Sequence, residues 1–186
     1  MREYIKVIGG GLAGAEAAYQ LAKRGISVEL YEMKPEKFSA AHENENLAEV
    51  VCSNSFKSNN ITSACGLLKE ELRKLDSLLI RCAESTSVPA GQALAVDRDE
   101  FSKLVTKEIE KLDNVEIIRE EYTGKLEEED GIVIIASGPL TSDTLADGIA
   151  NLVGAQLYFF DAAAPIIEKS SINMDIAFIA DRYGKR

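Results

Sequence analysis

Six consecutive residues near the start of the chain form the pattern G-x-G-x-x-G, which is typical of dinucleotide binding. They are Gly9, Gly10, Gly11, Leu12, Ala13 and Gly14. In this pattern the first glycine turns tightly off a strand, the second lets a pyrophosphate approach the backbone, and the third lets a helix pack closely on the sheet. Amides and the dipole at the helix N-terminus then hold the phosphates. We predict that this glycine turn binds a dinucleotide.

An acidic residue supports this prediction. Glu32 follows Gly14 by eighteen residues and stands at the end of the second predicted strand. A carboxylate at this position can accept hydrogen bonds from both hydroxyls of an adenosine ribose. The competing interpretation is a glycine-rich turn without a ligand, with Glu32 as a solvated charge. The strand before the turn and the helix after it favour the dinucleotide site.

A second glycine favours FAD over NAD as the dinucleotide. The apolar run 132–136, followed by Ser137, Gly138 and Pro139, predicts a buried strand that ends in a turn of small residues. Flavoproteins with two dinucleotide-binding domains often bring such a strand and its glycine back beside the cofactor. An ordinary parallel strand with a tight exit explains these residues equally well on their own. Beside the glycine turn they predict FAD, with Gly138 at the cofactor.

Of the three cysteines, Cys52 has the surroundings of a reactive thiol. It lies in a polar loop with Lys57 nearby in sequence, where a thiolate close to a flavin could attack a substrate or carry a one-carbon unit. A buried structural cysteine is the competing interpretation. Cys82 lies on the apolar stripe of a predicted helix and is expected to pack there. Cys65, near the start of that helix, is assigned no chemical role.

The sequence argues against a metal site. The chain has one histidine, His42, and its cysteines, spaced by 13 and 17 residues, match neither a zinc pattern nor a disulfide framework. This cysteine usage predicts a reducing, cytoplasmic environment. Acidic neighbours would favour the charged form of His42, which is expected to be a surface histidine.

Composition narrows the class of protein further. The 186 residues are 46% hydrophobic and 28% charged, as in one globular domain, and the formal net charge of −10 should repel nucleic acid unless a local basic patch exists. No apolar run approaches the roughly 18–20 residues of a membrane span, and no leader precedes the first strand. Neither a secreted nor a membrane-anchored protein is expected.

The elements that must position these residues alternate between strand and helix. A strand at 4–8, a helix at 12–24 stopped by Gly25 and a strand at 26–31 form a βαβ unit, which predicts a parallel sheet with a right-handed crossover. The expected fold class is therefore α/β, a Rossmann-like FAD-binding domain. Residues 35–60 form a polar loop that is long enough to suggest function or mobility.

The rest of the chain continues this alternation. One helix is predicted over 63–83, with a single buried stripe formed by Leu68, Leu72, Leu75, Leu79 and Cys82. An extended segment at 88–96 precedes a helix that runs to Leu112 and begins with a capping box of Asp97 and Glu100. Further strands are predicted at 115–118, 132–136, 157–160 and 176–179, with a helix at 144–153.

These segments together resemble the folate- and FAD-dependent tRNA uracil-5-methyltransferase family over nearly the whole chain. The particular motifs are Val51-Cys-Ser-Asn-Ser55, the run Ala93-Leu-Ala-Val-Asp-Arg98 and the run Asp161-Ala-Ala-Ala-Pro165. Further matches are residues 9–25, 30–33, 66–71, 136–142 and 158–169.

The resemblance implies methylation of a T-loop uridine in tRNA. In that family 5,10-methylenetetrahydrofolate supplies the carbon, and FAD reduced by NAD(P)H supplies the electrons. A thiolate attacks C6 of uracil and makes C5 able to accept the methylene group. The match places Cys52 at one of the family's two functional cysteines, gives Gly9–Gly14 the phosphate-binding role and gives Glu32 the ribose role.

The chain departs from the family in length. Members are much longer, and their other functional cysteine and the C-terminal segment that closes the flavin domain would lie beyond Arg186. Residues 1–186 are thus expected to be the N-terminal part of an FAD-binding domain, incomplete at its C-terminus, with 35–60 as an active-site loop. Two alternatives stay open: a non-catalytic dinucleotide-binding module, and the related flavoprotein that modifies wobble uridines.

Overall fold

A computed structural model describes residues 4–154 and 169–177 and confirms the α/β class. The strands are β1 (Tyr4–Ile8), β2 (Ser27–Tyr31), β3 (Ser55–Ser58), β4 (Ser87–Val88), β5 (Ala93–Val96), β6 (Val115–Ile118) and β7 (Val133–Ile135). The helices are α1 (Leu12–Lys23), α2 (Ala64–Lys74), α3 (Leu78–Ser85), α4 (Arg98–Glu110) and α5 (Asp143–Val153).

Four strands form the parallel sheet that the βαβ unit predicts, in the order β6-β2-β1-β7. Val7 of β1 is paired with Leu30 of β2 on one side and with Ile134 of β7 on the other. Because parallel strands end at the same edge, the segments that follow β1, β2, β6 and β7 meet there. In sheets of this kind, ligands bind at this carboxyl edge.

The main core lies between this sheet and the helices α1, α3 and α4. Val7, Val28 and Leu30 are fully buried and pack in one cluster with Ala15 of α1 and Phe101 of α4. The many alanines of α1 allow it to approach the strands closely. A smaller cluster on the other face contains Ile8, Tyr122 and Leu145.

A second, three-stranded sheet, in the order β3-β5-β4, is antiparallel. It contains the extended segment predicted at 88–96 and leads directly into α4. Asp97 caps α4 by accepting hydrogen bonds from the amides of Asp99 and Glu100, as predicted. The amide of Asp97 itself donates to the Thr86 carbonyl, so the reciprocal half of the expected capping box is not formed.

The single helix predicted over 63–83 is wrong. The chain breaks between α2 and α3, where Asp76 has a φ of 54° and Ser77 caps α3 by accepting from the Ile80 amide. The carboxylate of Glu16 on α1 accepts hydrogen bonds from the Ser77 hydroxyl and the Leu79 amide, which fixes this break.

The prediction of a single buried stripe on that helix is consequently also wrong. Leu75 is 64% exposed and Leu68 is 55% exposed, because the break turns these residues away from the core. Leu79 packs against the core and Cys82 is buried in it.

The strand predicted as buried at 132–136 is instead at the edge of the sheet that the described strands form. Among those strands β7 has a neighbour on one side only, and Ile132 is 65% exposed while Ile134 packs against the core. The strand predicted at 157–160 lies outside the described residues. Of the strand predicted at 176–179, Ile176 lies in a turn and the remainder beyond Ala177 is outside the described residues. Among the described helices, none has the length and apolarity to cross a membrane.

Candidate functional site

A cavity of about 320 Å³ opens at the carboxyl edge of the parallel sheet. This volume is in the range of small-molecule sites. Four segments line it: residues 8–13, residues 31–34, residues 120–122 and residues 136–142, together with His42, Glu49, Val51 and Leu145. The cavity therefore brings together the glycine turn, Glu32 and Gly138, which the sequence assigned to one site.

The glycine turn is shaped by close backbone contacts. Gly9 has a φ of 104° and its amide donates to the Tyr31 carbonyl at 2.8 Å. A Cβ on Gly14 would stand 1.7 Å from the Gly9 carbonyl oxygen, so only glycine allows α1 to start this close to the turn. A Cβ on Gly10 would strike Leu47 and the Glu32 carboxylate.

Gly11 is the open position of the turn. Apart from its chain neighbours, no atom of the described residues lies within 4 Å of a Cβ built on it, and it precedes α1 without a side-chain cap. The first turn of α1 contains no acidic residue. Its leading amides lack partners within the helix, and the helix dipole adds positive potential there. This end of α1, lined by Leu12 and Ala13, is suited to an anionic group such as a pyrophosphate.

Glu32 is buried and held in place, not a solvated charge. One carboxylate oxygen accepts from the Gly10 amide at 3.1 Å, and the other accepts from the Lys34 amide at 3.0 Å. A carboxylate oxygen can accept more than one hydrogen bond. Both oxygens therefore retain capacity for the hydroxyls of a ribose in the cavity.

The long loop after β2 forms a second wall and is anchored by charged side chains. Lys34, 3% exposed, pairs with Glu49 at 3.2 Å and donates to the Asn46 carbonyl at 2.7 Å. The Ala48 amide donates to the Gly10 carbonyl, which joins the loop to the glycine turn. Residues 34–49 are thus tied to the site.

A third wall of the cavity, the far wall, consists of Tyr31 and residues 120–122. Sequence reasoning did not identify its two tyrosines. The rings of Tyr31 and Tyr122 meet edge to face with centroids 5.2 Å apart. The Tyr122 hydroxyl donates to Glu129 at 2.6 Å, and Glu129 also pairs with Lys6 at 2.5 Å. Burial and the Glu129 contact raise the pKa of Tyr122. Lys6, and secondarily Tyr122, lower the pKa of Glu129.

Glu121, on the same wall, offers a buried acceptor. Lys37 pairs with its Oε2 at 2.7 Å and is the main cause of a lowered pKa of Glu121. The hydroxyls of Ser142 and Thr144 add smaller effects on this pKa, but among the described residues Oε1 has no partner in hydrogen-bond geometry. A buried carboxylate oxygen without a donor is suited to a donor group of a bound ligand.

Gly138 stands on the last wall, at the end of β7. It has a φ of 70°, and apart from its chain neighbours no atom within the described ranges lies within 4 Å of a Cβ built on it. Ser137 and Thr141 share a hydrogen bond of 2.7 Å across this short turn. The turn of small residues is therefore present as predicted, although the strand before it is an edge strand.

Cys52 is exposed, so the interpretation of a buried structural cysteine is wrong. Its neighbour Val51 lines the cavity, and Cys52 itself lies just outside it. The loop that carries Cys52 is held by Asn54, whose side chain donates to the Val96 carbonyl and whose own carbonyl accepts from the Val96 amide. The thiol is therefore accessible and attached to a fixed segment at the cavity rim.

The other two cysteines differ from each other. Cys65 is exposed in the first turn of α2. Cys82 is 1% exposed, and burial raises the pKa of its thiol to about 11, so the predicted packing role is confirmed. The described residues contain no group of three or more histidine, cysteine or acidic side chains that could hold a metal ion.

His42 corrects the prediction of a charged surface histidine. It is half-buried, lines the cavity and has Nδ1 2.6 Å from the Ser39 hydroxyl. Burial, followed by the charge of Lys34, lowers the pKa of His42, and the opposing effects of Glu49 and Glu32 are smaller. The prediction considered only neighbours in sequence and could not include the buried Lys34.

The sequence model of the family described as glucose inhibited division protein A matches residues 4–186. A protein of Lactobacillus johnsonii named methylenetetrahydrofolate–tRNA-(uracil-5-)-methyltransferase TrmFO is 59% identical over 186 residues, which are 100% of this chain and 42% of that protein. The protein of that name from Acetivibrio thermocellus is 56% identical with the same coverage.

The family resemblance drawn from the motifs is thus confirmed, and the chain spans about two fifths of the length of these relatives. Among solved structures, the GidA-related protein from Thermus thermophilus is 19% identical, with a TM-score of 0.44 over 75% of this chain and 54% of that one.

Proposed function

Because the chain belongs to the glucose inhibited division protein A family, we propose that its cavity binds FAD and that it serves folate-dependent methylation of uracil C5 in tRNA. The convergence of the open glycine turn and the fixed Glu32 carboxylate on one cavity carries the first part of this proposal. The names of the relatives that are 56–59% identical support the second part.

The residues present fit a flavin dinucleotide. The amides that follow Gly11 are suited to its pyrophosphate, and Glu32 to its adenosine ribose. The Oε1 atom of Glu121, which has no hydrogen-bond partner among the described residues, is an acceptor for a donor group at the far wall. When bound, FAD supplies the electron transfer that converts a one-carbon unit to a methyl group, with NAD(P)H as reductant and 5,10-methylenetetrahydrofolate as carbon donor.

Cys52 is proposed as the catalytic thiol on this chain. Its exposure at the rim gives a nucleic-acid base access to the sulfur. In the proposed step the thiolate forms a bond with C6 of uracil, the C5–C6 π electrons move to C5, and C5 becomes the nucleophile for the one-carbon unit. Loss of the C5 proton and cleavage of the C6–S bond then restore the double bond and the thiolate.

The binding half of the proposal is tested on this chain by titration with FAD. We expect flavin fluorescence to be quenched and a flavin absorbance band to accompany the protein. Gly11→Val should abolish binding without unfolding the chain, because its side chain enters open space where the pyrophosphate would lie. Absence of flavin from the wild-type chain even after incubation with FAD would contradict the proposal, and binding of NAD in its place would favour the alternative cofactor.

The catalytic half requires the longer protein. Cys52→Ser should leave FAD bound and reduce methyl transfer by orders of magnitude, because a hydroxyl at neutral pH is a much poorer nucleophile than a thiolate. Cys65→Ser is the matched control, since Cys65 is also an exposed free cysteine. Wild-type methylation by the Cys52 variant would show that this cysteine has no catalytic role.

A dinucleotide-binding module without its own activity is the second candidate, since the glycine turn and the fixed Glu32 carboxylate account for nucleotide binding alone. This chain would then bind FAD and transfer no methyl group, whereas the longer protein would do both. Mass spectrometry of tRNA after reaction also separates methylation at C5 of a T-loop uridine from modification of a wobble uridine.

A further inference from the structure

His42 provides the one imidazole of the cavity lining, and the proposed function leaves it unused. It lies in the loop 34–49 and lines the same cavity as Glu32. Its Nδ1 is engaged by the Ser39 hydroxyl at 2.6 Å. Nε2 is therefore the ring nitrogen left for a ligand.

The Ser39 hydroxyl can donate its hydrogen to Nδ1 of His42 while its oxygen accepts a hydrogen bond from the Ala41 amide at 3.3 Å. In the neutral ring one nitrogen accepts and the other donates. With Nδ1 as the acceptor, Nε2 carries the hydrogen and is a donor.

The charges around His42 select the kind of acceptor that it can bind. Burial and then the charge of Lys34 lower the pKa of His42, which favours the neutral ring, and the opposing effects of Glu49 and Glu32 are smaller. Because Lys34 pairs with Glu49, Glu32 carries the uncompensated charge of these three side chains. A carboxylate repels a phosphate, whereas a hydroxyl group is uncharged. A ribose hydroxyl is the acceptor that fits these conditions.

We infer that Nε2 of His42 donates a hydrogen bond to a hydroxyl of the adenosine ribose, and that the same hydroxyl donates its hydrogen to Glu32. This inference rests on the proposed dinucleotide site. Glu32 and His42 then recognise the two capacities of one hydroxyl, as acceptor and donor respectively. This makes His42 a specificity-determining residue. A nucleotide whose ribose lacks this hydroxyl would lose the contact.

Two substitutions separate this role from a structural one. In His42→Asn the side-chain amide stands near the position of Nδ1, so it keeps a partner for Ser39 and loses the donor at Nε2. In His42→Gln the amide reaches the position of Nε2 and keeps the donor. Loss of one neutral hydrogen bond predicts that His42→Asn weakens ADP binding by about two- to tenfold. His42→Gln should stay within about twofold of wild type.

Nucleotide analogues identify the hydroxyl. Affinities of wild type, His42→Asn and His42→Gln are measured for ADP, 2′-deoxyADP and 3′-deoxyADP. The analogue that lacks the recognised hydroxyl should bind His42→Asn and His42→Gln with the same affinity, because in a double-mutant cycle the second change has no effect once the contact is gone. An equal loss in His42→Asn for ADP and for both analogues would assign His42 a structural role and overturn the inference.

The single histidine of the chain also gives one imidazole spin system in nitrogen-15 NMR spectra. ADP should shift the Nε2 resonance together with the Gly11 amide. A shift of the Gly11 amide with no change at His42 would overturn the inference and leave the proposed function standing. No shift at either position with ADP or FAD would overturn the proposed function and the inference together.

Discussion

Two walls of the cavity meet at Gly10 and are held by different forces. The glycine wall, residues 9–14, is fixed by backbone sterics, with a glycine wherever a Cβ would strike the neighbouring chain. The loop wall, residues 34–49, is fixed by a buried ion pair between Lys34 and Glu49. The first wall depends on contacts that are local in sequence or in the sheet. The second depends on charges that must be satisfied away from water.

The largest effect is expected on the glycine wall. Gly14→Val places a Cβ 1.7 Å from the Gly9 carbonyl oxygen. Neither backbone segment can move away from this contact without breaking the turn. We expect the free energy of unfolding to fall by roughly 4 kcal/mol or more. Urea denaturation followed by circular dichroism measures this. Gly11→Ala is the control and should change stability by less than about 0.5 kcal/mol, because its Cβ enters open space. If the urea midpoint of Gly14→Val equalled that of the wild type, the steric explanation would be wrong.

A somewhat smaller effect is expected on the loop wall. Lys34→Met leaves Glu49 buried without its cation, which should reduce the free energy of unfolding by about 3 kcal/mol. Limited proteolysis should then cut within residues 34–49, which are tied down in the wild type. Lys103→Met removes an exposed ion pair with Glu100 and should change stability by less than about 0.5 kcal/mol. Equal effects of the two substitutions would remove the distinction between the walls.

The smallest effect concerns the far wall and depends on pH. Because the folded-state pKa of Glu129 lies below its unfolded value, its stabilisation is full above the unfolded pKa and is lost as the pH falls through the folded one. Glu129→Gln should therefore lower stability by about 1.5 kcal/mol at pH 7, with the difference shrinking at pH below about 4.

The matched control for that experiment is Glu128→Gln, since Glu128 is exposed and pairs with the surface residue Lys125. This substitution should not alter how the free energy of unfolding changes between neutral and acidic pH. The glycine wall provides a further contrast, because Gly14→Val should show the same loss of stability at both pH values. A pH-independent loss for Glu129→Gln would contradict the role given to its charge.

The parts of the fold that sequence reasoning predicted are those whose causes are local. The first strand, the glycine turn and α1 follow from apolar alternation and from glycine spacing, and the cap of α4 follows from Asp97. The carboxyl edge of a parallel sheet then brings Glu32 and Gly138 to one cavity without further information.

The parts that were missed have causes distant in sequence. Nothing near His42 indicates that Lys34 would stand beside it, and nothing near Tyr122 indicates its contact with Tyr31. The helix predicted over 63–83 has an unbroken apolar period, and its break is fixed by Glu16. Edge position likewise cannot be derived from the residues of β7, since it depends on the order of strands in the sheet.

The contact between Glu16 and the start of α3 also limits how the chain can be divided. Glu16 lies two residues after Gly14, so the helix that begins at the cavity also supplies the acceptor for the amide of Leu79. A fragment that begins after β2 would retain Ser77 and lose this carboxylate, so the Ser77 hydroxyl and the Leu79 amide would lose this acceptor. A chimera that exchanges α1 should therefore keep an acid at position 16.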